Sequence, residues 1–167
     1  MGTVRIILVC LLVVAQIVFG VPGWLSGDAA SYPVRALTYS FFHGNWWHLA
    51  VNCLAIWGIY SPRYPCKPCR DLLFPFLIAV LVYPLSFRPV IGFSNILYAV
   101  LGLRTPSLKS SWWKQPSVIV FLVVTVAMLL IPRFSATTHI AAFILGMAGA
   151  AIRRGWLNLT KDARRYI

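Results

Sequence analysis

Charge is what this sequence has least of. Only 11% of its 167 residues are Asp, Glu, Lys or Arg, where a soluble domain carries about a quarter. Acids are scarcer still: the chain holds Asp28, Asp71 and Asp162 and no others. None of the three falls in an apolar stretch, which argues against an ion-coupled transporter, since that would need buried acids. No polar linker is long enough to divide the chain, so residues 1–167 read as one domain. Cysteine is sparse as well. Cys10 and Cys53 lie in apolar stretches and read as packing residues. Cys66 and Cys69 form "PCKPC", half of a zinc site with no second pair or histidine on the same side to complete it. A Pro-stiffened turn is the simpler reading, and a zinc shared between two copies is the alternative. No metal and no cofactor is expected.

What is present instead is apolar: 60% hydrophobic residues and a mean hydropathy of +0.80. The solvent for most of such a chain is lipid. Apolar stretches lie at about 4–21, 46–60, 72–87, 92–103, 117–131 and 138–152. Several fall short of the roughly 20 residues that cross a bilayer unaided. The net charge of +12 raises the question of nucleic acid, but its distribution answers otherwise. With six spans, twelve basic residues fall on the side of the termini: Arg5; Arg63, Lys67 and Arg70; Arg104, Lys109 and Lys114; Arg153, Arg154, Lys161, Arg164 and Arg165. Only Arg35, Arg88 and Arg133 fall on the other. This is the positive-inside pattern, with both termini cytoplasmic and the lipid bilayer, not nucleic acid, as partner. The first stretch is long for a signal-peptide core and "VFGVPG" is a poor cleavage site, so it reads as a retained span. "MGTVRI" lacks the Ser or Thr of a myristoylation signal.

The fourth span is unusual. Ser94 and Asn95 interrupt the apolar run "VIGFSNILYAVLG" at 90–102, and polar residues inside a membrane are costly. Ser94 to Arg104 is ten residues, about 15 Å of helix, against a hydrocarbon core about 30 Å thick. If Arg104 marks the cytoplasmic surface, Ser94 begins a short helix at mid-depth. The preceding "SFRPVIG" cannot be a lipid-exposed helix, so a hydrated cavity opening outward is expected, with Ser94 at its floor. The long first outer loop, 22–45, is expected to be ordered and partly buried. Trp46 and Trp47 suit the outer interface.

All three histidines, His43, His48 and His139, fall in the outer half. His48 and Asn52 share one face of the second span, and Ser94 and Tyr98 one face of the fourth. These residues form a nucleophile-and-base inventory. His139 is a suitable base for the Ser94 hydroxyl. The His48 imidazole, the Asn52 amide and the Ser94 backbone N–H are candidate oxyanion donors. With no acid in a span, a Ser–His dyad is expected, with the Tyr98 ring stacked on His139 in place of an aspartate. Each residue also has a structural reading taken singly. Membrane serines bond to their own backbone, and Asn and His join helices. Ala142-x-x-x-Gly146 reads as close packing of the sixth span on the fourth in either case.

At these residues the chain resembles the rhomboid family of intramembrane serine proteases. "FFHGNWWHLAVN" resembles the second-helix signature, "GFSNILYAVLG" the Gly-x-Ser-x opening of the fourth helix, and "THIAAFILGMAGA" the Ala-His-x-x-Gly pattern of the sixth. Arg35 precedes His43 by the spacing of the family's loop Trp-Arg pair. The resemblance implies an all-α membrane protein, a minimal six-helix bacterial form. Ser94 would be the nucleophile and His139 the base, with His48 and Asn52 at the oxyanion. Single-pass membrane proteins would be cut near the outer face of the inner membrane, and the loop around Pro132–Thr137 would cap the cavity. The chain departs from the pattern at Val34 for Trp, Asn95 for the Gly after the serine, Thr138 for Ala and Ala142 for Gly. Asn95 would narrow the cavity or add an oxyanion donor. The alternative is a catalytically inactive rhomboid-like protein that binds membrane helices.

Overall fold

The structure, a computed structural model, describes residues 3–20, 32–60, 67–86, 90–105, 119, 122–123, 125–127 and 136–163. All regular structure among the described residues is helical. Helix α1 runs Thr3–Phe19. Helix α2, Tyr32–Thr38, leads into a 3₁₀ turn at Tyr39–Phe41. Helix α3 is Trp46–Ile59. A π-helical turn at Cys69–Leu73 opens α4, Phe74–Val82, and a 3₁₀ turn at Tyr83–Leu85 closes it. Helix α5 is Ser94–Arg104 and α6 is Ala136–Ala163. The expected fifth span shows helix at 119, 122–123 and 125–127. Its remaining residues, Cys66, and the loop 131–135 lie outside the described residues. One described helix, the Ala136–Trp156 part of α6, is long and apolar enough to cross a bilayer unaided; α1 and α3 are apolar but shorter.

Local chemistry sets the helix ends. Asn45 has extended backbone at the start of α3, and its side chain accepts the His48 N–H at 2.8 Å. That satisfies one of the four amides a helix N-terminus leaves open. The prolines of the third apolar stretch do more than bend it. Pro75 has no N–H for the carbonyl four residues back, at Asp71; the Tyr60 hydroxyl donates to that carbonyl at 2.7 Å. Pro84 likewise offers nothing to Val80. The Tyr83 N–H turns to the Val80 carbonyl in the tighter 3₁₀ bond. The Ala79 carbonyl, one residue earlier, then accepts the Tyr39 hydroxyl at 2.9 Å. In each case a tyrosine from another segment meets a carbonyl near a proline.

Helix α5 is the centre of the bundle. Every residue but Leu103 is buried, as befits a helix that is apolar on all sides. Its closest partner is α6. A Cβ on Gly102 would run into the Phe143 carbonyl, and one on Gly146 into the Ala99 carbonyl. Ala142, one turn before Gly146, is wholly buried. The two backbones therefore touch, which only small residues permit.

The far end of α5 is held by charge. The Arg104 guanidinium donates to the Ile59 carbonyl at 2.5 Å and lies 3.2 Å from the Asp71 carboxylate. Asp71 also accepts from the Lys67 N–H at 2.8 Å and from Arg70 twice, at 2.7 Å each. Asp71 is fully buried. Burial alone would raise its pKa; the Arg70 and Lys67 hydrogen bonds and the Arg104 and Arg70 charges outweigh it and hold the carboxyl below its ordinary value. One ion cluster thus joins the end of α3, the turn before α4 and the end of α5.

Two predictions follow from this packing. Gly146→Ala is expected to lower stability by about 1–3 kcal/mol, the usual cost of overpacking, read as a lower unfolding midpoint in detergent; an unchanged midpoint means that α5 and α6 do not touch there. Asp71 contributes stability that is complete above its unfolded pKa, near 4, and is lost as pH falls through its lower folded value. Asp71→Asn is expected to cost about 3–5 kcal/mol at neutral pH, because it removes the carboxylate charge that faces the buried Arg104 guanidinium. The variant should also lack the wild-type loss of stability below about pH 4. Parallel wild-type and variant pH profiles would contradict the ion cluster.

Candidate active site

Ser94 is the first residue of α5, and His139 lies in the first turn of α6. Because α5 and α6 touch at Gly102 and Gly146, the two side chains are brought together. The Ser94 Oγ and His139 Nε2 are 2.7 Å apart, an ordinary length for this pair of groups. In the reactive tautomer the hydroxyl donates and Nε2 accepts. Tyr98, one turn below Ser94, lays its ring on the His139 imidazole, with centroids 4.7 Å apart and planes tilted by 32°. Its hydroxyl donates to Thr125 Oγ1, from the fifth apolar stretch. Ring and hydroxyl together fix Tyr98 between two other segments.

The backbone that delivers Ser94 is irregular. Gly92 has φ +117°, a region that glycine tolerates and side chains avoid. It also lies hard against His48: a Cβ there would fall 2.6 Å from the His48 Cε1. His48 therefore sits beside the turn into Ser94. Asn52, one helical turn further along α3, is buried; its amide nitrogen donates to the His48 carbonyl at 2.9 Å. One of its two N–H groups is thus used inside α3, and the second is what it has to offer a ligand.

His43 stands apart from Ser94 and His139. It is fully buried, edge-on to His48 at 5.1 Å, and its Nε2 accepts the Phe93 N–H over a long 3.5 Å. Burial, then the nearby His48 charge, pull its pKa down to about 3, which keeps the imidazole neutral and able to accept. Its contact is with the turn before the serine and not with the serine itself. Arg35 is half-buried on α2. Asn95 is fully buried, and its amide nitrogen donates to the Tyr39 hydroxyl at 2.9 Å. That bond ties one of the two amide N–H groups of Asn95 to the outer-loop segment. Among the described residues no cluster of three or more His, Cys, Asp or Glu could hold a metal; Cys69 is an exposed free thiol.

Two contributors carried no signal in the sequence. Gly102 is one of many glycines in apolar stretches, and only the position of the neighbouring backbone makes it necessary. Tyr39 reads as a loop aromatic until its partners are seen. An i, i+4 count from Ser94 finds Tyr98, and would have found Gly102 one turn on had small residues been sought on both helices.

The stacking yields a direct test. Tyr98→Leu keeps an apolar body but removes the ring. The His139 ring protons are expected to lose the upfield shift that an overlying aromatic imposes, and to broaden as the imidazole gains freedom. An unchanged histidine spectrum would mean that Tyr98 does not hold it.

Compared with known proteins, the chain matches no family model, no curated protein and no solved structure.

Proposed function

We propose that this chain is an intramembrane serine endopeptidase of rhomboid type, a six-span protein of the bacterial inner membrane with both termini in the cytoplasm. The observation that carries the reading is the 2.7 Å contact of the Ser94 hydroxyl with the His139 imidazole, made from two different helices. A lone membrane serine bonds to the carbonyl of its own previous turn. Ser94 begins its helix and has no such turn, so its hydroxyl is left to meet a base.

Further support for a lipid environment comes from the outside of the bundle. Val14 and Ile17 on α1, Leu77 and Leu81 on α4, and Ile140 and Ile144 on α6 are more than half exposed. Water-soluble monomers rarely expose large apolar patches, and these side chains supply apolar surface on three helices. Trp47 at the head of α3 is the most exposed of these large side chains, at 83%, as an interfacial anchor would be.

The chemistry is that of acyl transfer. As the Ser94 oxygen bonds to the scissile carbonyl carbon, its proton passes to His139 Nε2, and the carbonyl oxygen takes up negative charge. The Ser94 N–H at the head of α5, with the dipole of that helix behind it, is placed to receive that charge. The His48 ring and the free Asn52 N–H complete the donor set. The imidazolium then gives its proton to the departing amine, leaving an acyl-serine. A water molecule, deprotonated by the same imidazole, cleaves the ester and returns the proton to Ser94. Substrates are single-pass membrane proteins cut near their outer end. A helical peptide bond is shielded by its own hydrogen bonds, so segments weakened by Gly or Pro are preferred.

The test pairs a fluorophosphonate probe with a model trans-membrane substrate in reconstituted vesicles. Wild type is expected to label and to cleave. Ser94→Ala should do neither, and His139→Ala should lose cleavage by about a thousandfold or more while folding normally. A wild type that binds the substrate but neither labels nor cuts would establish the helix-binding alternative.

A further inference from the structure

Tyr39 hydrogen-bonds to the chain on both sides of Ser94. It is wholly buried in the 3₁₀ turn after α2. Its backbone carbonyl accepts the Gly92 N–H at 3.1 Å, two residues before the serine. Its hydroxyl meets the Asn95 amide at 2.9 Å, one residue after it. The same hydroxyl reaches the Ala79 carbonyl on α4 at 2.9 Å, and the ring packs on Tyr83 with centroids 4.8 Å apart. The direction of each bond is determined. A carbonyl can only accept, so the phenol proton goes to Ala79 and the phenol lone pair takes the Asn95 N–H. Asn95 therefore presents its nitrogen, not its oxygen, to Tyr39.

Resting on the protease reading, we infer that Tyr39 is a positioning residue for the nucleophile and that Asn95 is its dedicated partner. One residue grips both flanks of Ser94, the upstream flank through its main chain and the downstream flank through its side chain, and it anchors both to α4. A glycine at 95, usual in the family this chain resembles, has no group to complete that grip. The asparagine is then not an incidental change. It is half of a tether that holds the head of α5 against the outer-loop segment and so fixes where Ser94 stands relative to His139. Asn95 Oδ1 is buried with no hydrogen-bond partner among the described residues, a cost that a residue without a role at this position would not need to bear.

The test is a double-mutant cycle of Tyr39→Phe and Asn95→Ala in the full chain in detergent, followed by four measurements. These are the rate of fluorophosphonate labelling, kcat and KM for the model substrate, the unfolding midpoint, and the 15N shift of His139 Nε2. Tyr39→Phe strands the buried Asn95 N–H and is expected to slow labelling and kcat on the order of tenfold, with KM little changed. The pair of changes together should be no slower than Tyr39→Phe alone, because the stranded donor leaves with its side chain. The hydrogen-bonded shift of His139 Nε2 should move in Tyr39→Phe and move no further in the double variant. Multiplicative losses in the double variant would overturn the inference, and so would a lowered midpoint with labelling, kcat and the His139 signal unchanged. If Tyr39→Phe does not fold, Asn95→Ala alone must slow labelling and shift the His139 signal, and failure to do either overturns it. If wild type does not label at all, the protease reading fails, yet the His139 shift across the cycle still decides whether Tyr39 and Asn95 set the Ser94–His139 contact.

Discussion

Direct contact between the backbones of α5 and α6 is the constraint on which the rest depends. Helices with ordinary side chains between them sit about 8–10 Å apart. Gly102 and Gly146 remove the side chains at the crossing, each lying against a carbonyl of the other helix. Only at that separation do short side chains at the helix heads, a hydroxymethyl and an imidazole, come within hydrogen-bond distance. The association has little hydrophobic drive if the surroundings are lipid, because lipid tails are as apolar as the helices. It rests instead on dispersion between closely fitted surfaces, and a single methyl at either glycine disturbs that fit.

The second constraint is that a backbone polar group away from water must find a partner inside the protein. The chain breaks its own helical ladder at Pro75 and Pro84, and each break is met by a distant tyrosine. Tyr60 answers at Asp71 and Tyr39 answers at Ala79. Those bonds tie segments that sequence separates by 11 and 40 residues. The irregular stretches thereby gain fixed positions. This is how a turn such as Gly92–Phe93, with few regular bonds of its own, delivers Ser94 to a defined place.

How far the sequence foretold this can be judged residue by residue. All-helical structure, a short helix beginning at Ser94, and small residues on the sixth apolar stretch were all legible, because each is written in local pattern: apolar runs, a polar interruption, a small-xxx-small spacing. The i, i+4 pairing of Ser94 with Tyr98 and of His48 with Asn52 was legible for the same reason. What was hidden depends on long-range geometry. Arg104, read as a surface marker, is turned into the protein by Asp71 and Ile59. Asn95, read as narrowing the cavity or adding an oxyanion donor, donates to Tyr39, 56 residues away. The partner of a polar side chain is a property of the tertiary fold, and no local spacing encodes it. Of the six expected spans, composition suggested the number, but α4 and α5 are too short to cross alone.

The use made of Asp71 bears on the chemistry at the other end of α5. An aspartate beside a histidine would orient the imidazole and stabilise its charged form. Asp71 is committed to Arg70 and Arg104, at the end of α5 opposite Ser94, about 15 Å along the helix. There it holds the foot of α5 against α3 and the turn before α4 but cannot reach His139. Orientation of the imidazole falls instead to the Tyr98 ring, which restrains direction without supplying charge. In the proposed chemistry the charged imidazole would therefore form without a carboxylate beside it among the described residues. The proposed dyad would rely on rigidity in place of a neighbouring charge. The rigidity is supplied at both ends of α5, by Tyr39 and Asn95 at its head and by the Asp71 cluster at its foot.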